Sequence, residues 1–523
     1  MARAALSAAS SLRSTRRALG SAIACPPLLR VSAVQPSKDP YVGDLAATVC
    51  IGRFSRSWSG GRSRVSANES FFLRRKAAAA FKHGILLSYP PLFASKAGSV
   101  TNGKVVFLDG YAGQGRYDDD SPGSPLLFVQ AARANPRRNV TGIFIEQHPT
   151  RYASLCRVLD EADPDGVVLR VVREGDLSEL LPELLPVAAG AALFAFLDPF
   201  GTALDLNQLR TNLLRRPGRA PTEVLLHFSV STIARMGGIL SAGRARGGLS
   251  IPEQKTVARA DAFLGGDWWH PEFDALRDVL GATTDDGSSW VDLDEVALLA
   301  ATNGSALVTA TDVAMRVAHR FCDRLGQETG YRTVAMPVRP EQGRAPKYVL
   351  VLFTKNDHGV WSFADTLGRA GQRWQQALHE ERARADAARI ADYLGGDPGL
   401  FDLDDLTPDP PPPFDPKQYE LDNRDRWVEV IANNLYRLFA IHGSGLRLVD
   451  HVDDVYGNVL GQAWEKHVRA AVRRLHNSEL ILDDGRGDDF WRRPIQVKIP
   501  RHRSPPPGDS LLGVEPASGE EAS

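Results

Sequence analysis

From Lys104 onward, apolar residues come in short unbroken runs separated by amphipathic stretches, the pattern of buried parallel strands alternating with helices. Val105-Val106-Phe107-Leu108 runs into Asp109, followed by a glycine-rich turn and a helix expected near 125–134. Gly142-Ile143-Phe144-Ile145 runs into Glu146, ahead of a helix over 151–162, a strand over 167–172 and a short helix over 177–185. Leu193-Phe194-Ala195-Phe196-Leu197 runs into Asp198, and a helix over 206–214 and a strand over 223–228 follow. Residues 236–310 break the rhythm and read as a mostly helical insertion. A helix over 313–327 restores it, and 331–338 with 347–353 read as a closing hairpin.

Five strands joined by crossover helices, then an antiparallel pair, is the strand inventory of a Rossmann-like class I methyltransferase sheet. Dehydrogenase-type sheets more often stay parallel, so the hairpin is informative. On this reading residues 66–357 form the α/β domain with its insertion, and 358–407 a charged helical extension. Pro408 to Pro416 reads as a stiff linker. Residues 417–499 read as a winged-helix-like domain: helices over 427–439 and 461–476, then short runs at 480–482 and 494–497 around the turn Asp483-Asp484-Gly485-Arg486-Gly487. Residues 500–523 read as a disordered tail. The first 65 residues are rich in Ala, Ser and Arg and poor in acids, which fits a disordered leader or a start assigned too far upstream, and also a transit peptide.

Composition changes the picture in three places. With 43% hydrophobic and 24% charged residues, the chain is that of a soluble globular protein of two or three domains. Its formal net charge of −1 removes the global argument for nucleic-acid binding, so a basic surface would have to be local. Cys25, Cys50, Cys156 and Cys322 lie far apart and fit no CxxC pattern, so neither a metal site nor a disulfide framework is expected, and a cytoplasmic setting is the simplest. No apolar run approaches the ~18 residues that a membrane span requires.

Candidate chemistry gathers at the strand ends. In Asp109-Gly110-Tyr111-Ala112-Gly113-Gln114-Gly115-Arg116-Tyr117 the small residues Gly110, Ala112, Gly113 and Gly115 let the backbone approach a ligand closely. In S-adenosyl-L-methionine (AdoMet) enzymes that ligand is the methionine end of the cofactor, and Asp109 stands where an acid holds its ammonium; a glycine turn with no ligand is the plainer alternative. Glu146, one βα unit later, can accept hydrogen bonds from ribose hydroxyls. Asp176 stands where an adenine contact is usual and could equally cap the next helix. Asp198-Pro199-Phe200-Gly201 resembles the acid–proline–aromatic box of methyltransferases acting on exocyclic amines. There Asp198 would accept the amine N–H and Phe200 would stack on an extruded base, although the second proline of the commoner box is missing. The alternative is a structural turn lining the cofactor pocket. Ser231 and Arg235 would lie on the same rim, with Arg235 able to meet a phosphate or to remain a surface cation.

With these motifs in order, the chain resembles the three-Cys-motif partner family. The resemblance also takes in Lys82-His83-Gly84-Ile85-Leu86 ahead of the sheet, Gly123-Ser124-Pro125-Leu126, Phe144-Ile145-Glu146 and Tyr348-Val349-Leu350-Val351-Leu352-Phe353-Thr354-Lys355. Tyr111 and Gln114 stand where the family usually has Phe and Pro. The resemblance implies a methyltransferase-like domain, AdoMet as cofactor, a radical-AdoMet-like three-Cys-motif protein as partner and a C-terminal winged helix. It brings no settled substrate; tRNA or DNA are the expected classes. Two other functions fit the same residues: an AdoMet-binding subunit without activity of its own, and a DNA-binding regulator acting through 424–499. The acidic turn residues Asp483, Asp484, Asp488 and Asp489 weaken the regulator reading, and Arg469, Arg473, Arg474, Arg492 and Arg493 partly restore it.

Overall fold

Strands covered on both faces need no polar alternation, and the apolar runs accordingly form the centre of a seven-stranded mixed sheet. The computed structural model describes residues 77–117, 119–199, 201–273, 309–340, 344–394 and 412–498, all within one compact unit over 65–523. The strands are β1 (Lys104–Asp109), β2 (Asn139–Glu146), β3 (Leu169–Glu174), β4 (Ala192–Leu197), β5 (Thr222–Phe228), β6 (Arg332–Val338) and β7 (Tyr348–Thr354). Their order is β3-β2-β1-β4-β5-β7-β6. The first five run parallel, and β7 inserts antiparallel between β5 and β6. This α/β arrangement is consistent with a methyltransferase-like fold, and it contains the closing antiparallel pair expected from the sequence.

Helices cover both faces. Phe107, Phe194, Phe196, Leu225, Leu350 and Leu352 pack against α1 (Ala77–Ser99), α2 (Ser124–Arg133) and α8 (Asp357–Leu394). Val106, Leu108, Leu193, Ala195, Leu197 and Leu226 pack against α4 (Leu177–Leu184), α5 (Val230–Ala245), α6 (Ile251–Leu264) and α7 (Ala310–Thr329). Helix α3 (Pro149–Ala162) links β2 to β3.

Several elements depart from expectation. The segment read as an α-helix over 206–214 is a π-helix, Gln208–Leu214, with Arg215 N donating to Arg210 O at 2.9 Å. Just beyond it the Arg216 guanidinium reaches the Ala188 and Ala191 carbonyls at 2.7 and 2.9 Å, a clamp across two loops that the sequence does not advertise. Strand β3 lies two residues later than expected, at an edge where Leu169 is exposed and apolar runs are a poorer guide. The described part of the insertion is helical (α5 and α6), while 274–308 lie outside the described residues.

Pro416, expected to close the linker, is instead the first residue of α9 (Pro416–His442), capped by the Asp415 side chain accepting from Lys417 N at 2.8 Å; residues 408–411 of that linker lie outside the described residues. The C-terminal region continues through α10 (Val452–Tyr456) and α11 (Glu465–Asn477). Its expected hairpin is reduced to a single antiparallel bridge, Ile481 with Val497, while Ile495 bridges to Leu446 outside it. This region shares a core with the sheet: Trp427, Tyr456 and Trp464 belong to the same buried cluster as Phe107 and Trp361. Trp361 stacks on Trp491 with ring centres 5.3 Å apart and donates its indole N–H to Glu465 at 2.9 Å. Gly368 and Gly371 of α8 lie so near the Ala463 and Gly461 carbonyls that a Cβ at either position would strike them. Among the described residues no helix is long and apolar enough to cross a membrane.

Candidate active site at the strand ends

The chain builds outward from β1 through β2 to β3, then returns to lay β4 on the other side of β1. In sheets of this kind the point of reversal, here the carboxyl ends of β1 and β4, is the usual ligand position. Asp109, the last residue of β1, and Asp198, just past β4, flank it.

On the β1 side, Asp109 is fully buried and its Oδ1 accepts from Tyr111 N at 3.2 Å. Among the described residues its Oδ2 is buried without a hydrogen-bond partner. Burial pushes the carboxyl up to about 7, against the opposing hydrogen bonds from Ser124 and Tyr111. The loop is pinned to the sheet by Gly110 N donating to Phe196 O at 3.0 Å and Ala112 N to Ile145 O at 2.9 Å. Gly113 and Gly115 take the left-handed φ values of 66° and 88°. A Cβ on Gly115 would press on Val158, whereas one on Gly113 would project into open space.

Glu146 is buried at the end of β2. Its Oε2 accepts from Gly113 N at 2.9 Å and its Oε1 from His148 N at 2.8 Å. Each carboxylate oxygen keeps a further lone pair, so a ribose diol could still bind. Asp176 takes the capping alternative, accepting from Ser178 N at 2.8 Å ahead of α4. The unpartnered Asp109 oxygen, the open Gly113 cradle and the Glu146 carboxylate fit an AdoMet-type ligand with an ammonium at one end and a diol in its middle.

On the β4 side the structure adds residues to which the sequence assigned no role. Lys82 of α1, itself buried, forms an ion pair with Asp198 Oδ2. The β4–β5 register sets Leu197 beside Leu226 and so His227 beside Asp198; His227 Nδ1 lies 3.3 Å from Asp198 Oδ1. Tyr348, the first residue of β7, packs its ring 4.3 Å from that of His227. His83 Nε2 lies 3.3 Å from the Tyr117 hydroxyl. Burial opposes the charge on Lys82, but Asp198, with Tyr117 and Tyr348, raises the ammonium above its ordinary range. Burial likewise opposes the charge on Asp198, and Lys82, His227 and His83 overcome it and hold the carboxyl low. His227 has no such rescue. Burial, reinforced by Lys82, drops it to about 4 against the pull of Asp198, so the ring is neutral at neutral pH. The available signals were a Lys82-His83 pair on an apolar helix and a lone histidine inside an apolar strand, and each alone is ordinary.

The remaining expected residues are less engaged. Phe200 lies outside the described residues. Ser231 is exposed in the first turn of α5, where its amide donates to Lys347 O at 3.0 Å, and Arg235 is exposed one turn further on. In the C-terminal region Arg469 binds the Gly485 and Gly487 carbonyls and Glu465. Arg493 engages Arg486 O and Asp483, and Arg492 lies by Asp357. Two of the arginines expected to offset the acidic turn, Arg469 and Arg493, therefore hold the turn together, and Arg492 faces α8 instead. Among the described residues no group of three or more His, Cys, Asp or Glu is placed to hold a metal ion.

No family model matches the chain, and no curated protein matches it. Among solved structures it is similar to the small RNA methyltransferase HEN1, with a TM-score of 0.26 at 10% identity. The match covers 57% of this chain and only 28% of that one. A superposition of that quality lends no support to a shared activity.

Proposed function

We propose that the strand-end site binds AdoMet and that the chain is a methyltransferase acting on nucleic acid or another base-containing substrate, in line with its resemblance to the three-Cys-motif partner family. The observation that carries this reading is the placement of Asp109, the left-handed glycine loop and Glu146 around the point where the strand order reverses. Asp109 would receive the cofactor's ammonium, Glu146 its ribose, and Gly110, Ala112, Gly113 and Gly115 would let it lie against the backbone. Asp176, already committed to its cap, would contribute only its remaining lone pairs. When bound, the cofactor supplies an electrophilic methyl group on a sulfonium. The acceptor belongs on the β4 side, by Asp198, with Phe200 stacking on its base and Ser231 and Arg235 on the outer rim.

A second reading has one observation in its favour. Lys82 occupies one Asp198 oxygen, which suits a cofactor-binding subunit that positions substrate for a radical-AdoMet-like three-Cys-motif partner. Calorimetry with S-adenosylhomocysteine tests the shared premise. Glu146→Ala should weaken binding by about 1.5–3 kcal/mol, the scale of a lost charged hydrogen bond, and Gly113→Val should also weaken it. Unchanged affinity in both variants overturns the cofactor reading. Radiolabelled methyl transfer by the purified chain to total tRNA or DNA then separates enzyme from subunit.

A further inference from the structure

We infer that His227 is the proton acceptor of this site and that the group it deprotonates is a hydroxyl, so that the methyl group goes to oxygen. The inference rests on the methyl-transfer reading above and narrows it. An amine acceptor asks only for a hydrogen-bond acceptor that aims its lone pair, because the nitrogen attacks while still protonated. A neutral hydroxyl is a poor nucleophile unless its proton leaves as it attacks, so it needs a base within reach.

The residues beside the strand ends supply that arrangement. Asp198 is not a lone carboxylate waiting for an amine: Lys82 holds its Oδ2, and its Oδ1 faces His227 Nδ1 at 3.3 Å. His227 Nδ1 makes no hydrogen bond, so Asp198 acts on the ring through charge alone, which favours a proton on the near nitrogen Nδ1 and leaves the Nε2 lone pair as the base. Nδ1 is buried, yet 16% of the His227 side chain is exposed, so the exposure belongs to the rest of the side chain. The ring is unprotonated at neutral pH; burial and Lys82 resist its taking a proton, and Asp198 is the neighbour that favours it. Tyr348 packs against the ring and limits its rotation.

In the reaction the acceptor oxygen bonds to the methyl carbon as the carbon–sulfur bond breaks, and the bonding pair stays with sulfur as a neutral thioether. The hydroxyl proton passes to His227 Nε2. Asp198 stabilises the imidazolium until the proton leaves to water. In a nucleic-acid substrate the abundant alcohol is the ribose 2′-hydroxyl, which DNA lacks. The acceptor is therefore RNA.

The test uses the full-length chain and has a readout independent of turnover. Diethyl pyrocarbonate near neutral pH should carbethoxylate His227, read by peptide mass spectrometry, and S-adenosylhomocysteine should slow that reaction several-fold. His227→Gln should keep S-adenosylhomocysteine affinity within a few-fold of wild type while transfer to total RNA falls about 100-fold or more, the scale of a lost general base. The label should be recovered as O-methylated ribose, with none in DNA. A His227 that stays unmodified while the exposed His319 reacts overturns the proposal, and so does a His227→Gln chain that retains transfer. Cofactor binding without transfer to RNA, or with the methyl on a base nitrogen, overturns it alone. Failure of S-adenosylhomocysteine to bind removes the methyl-transfer reading and this proposal together.

Discussion

The two ends of β5 lie beside carboxyl groups in different charge states. At the carboxyl end, His227 stands beside an Asp198 that Lys82 keeps ionised. At the amino end, Glu223 is 5% exposed and accepts from Thr354 Oγ1 at 2.6 Å and from the Tyr89 hydroxyl at 2.8 Å. Burial pushes Glu223 up to about 7, and these two hydrogen bonds only temper the rise. One helix serves both ends, since Lys82 and Tyr89 both belong to α1. Seven residues of helix advance roughly 10 Å, and four of strand roughly 13 Å, so α1 runs the length of the strand and delivers a different partner to each pole. The lesson is that burial alone does not fix charge. A hydroxyl partner leaves a buried acid near neutrality, while an ammonium makes it an anion.

Breaking the cationic end should have the largest effect. Lys82→Met leaves the Asp198 carboxylate without its counter-ion, and urea unfolding near neutral pH should show a loss of about 3 kcal/mol. Adding Asp198→Asn should recover much of it. A loss well under about 1 kcal/mol, the scale of an exposed pair, would mean that the two poles do not differ as described.

The hydroxyl end should show itself through pH. The folded chain holds the Glu223 proton up to about 7, whereas the unfolded chain gives it up near the ordinary value of 4.5. Stability therefore falls as pH rises from about 4.5 to about 7, by up to about 3 kcal/mol from this group. Asp109 acts in the same direction. His227 acts in the opposite one: its folded value is about 4, so its contribution is present above the ordinary 6.5 and is lost as pH falls toward 4. Glu223→Gln should therefore gain on the wild type steadily across that window, measured by thermal or urea unfolding at several pH values. A constant difference would show that Glu223 titrates normally.

The smallest effect is expected from Thr354→Val, which removes one of the two hydroxyls. A loss of about 1–2 kcal/mol is expected, with the Glu223 titration moved further upward and followed by the same pH series. A downward movement would show that Thr354 is not what tempers the acid.

The sequence made the sheet legible because parallel strands buried on both faces must be apolar throughout, and each of β1, β2 and β4 runs into an acid at or just past its end. It was weakest where that rule lapses: at the edge strand β3, along the π-helix, and in the C-terminal bridges whose pairing is too short to leave an alternating trace. The glycine loop and Glu146 could be found from spacing within neighbouring βα units. Lys82, His227 and Tyr348 could not, because they come from a helix and two strands far apart in the chain and meet only through strand register. Asp198 could be located from its box, but its charge partner is a tertiary fact.

The tight seat of α8 on the C-terminal region bears on how the molecule can be divided. Gly368 and Gly371 press on the Ala463 and Gly461 carbonyls, and Trp361 stacks on Trp491. A chain shortened after Leu394 would wet a stripe that includes Trp361 and Leu367, an oily patch of the kind that drives aggregation. Cutting the chain between the sheet and the C-terminal region is therefore expected to yield an insoluble fragment, and the strand-end site has to be studied with the C-terminal region still attached.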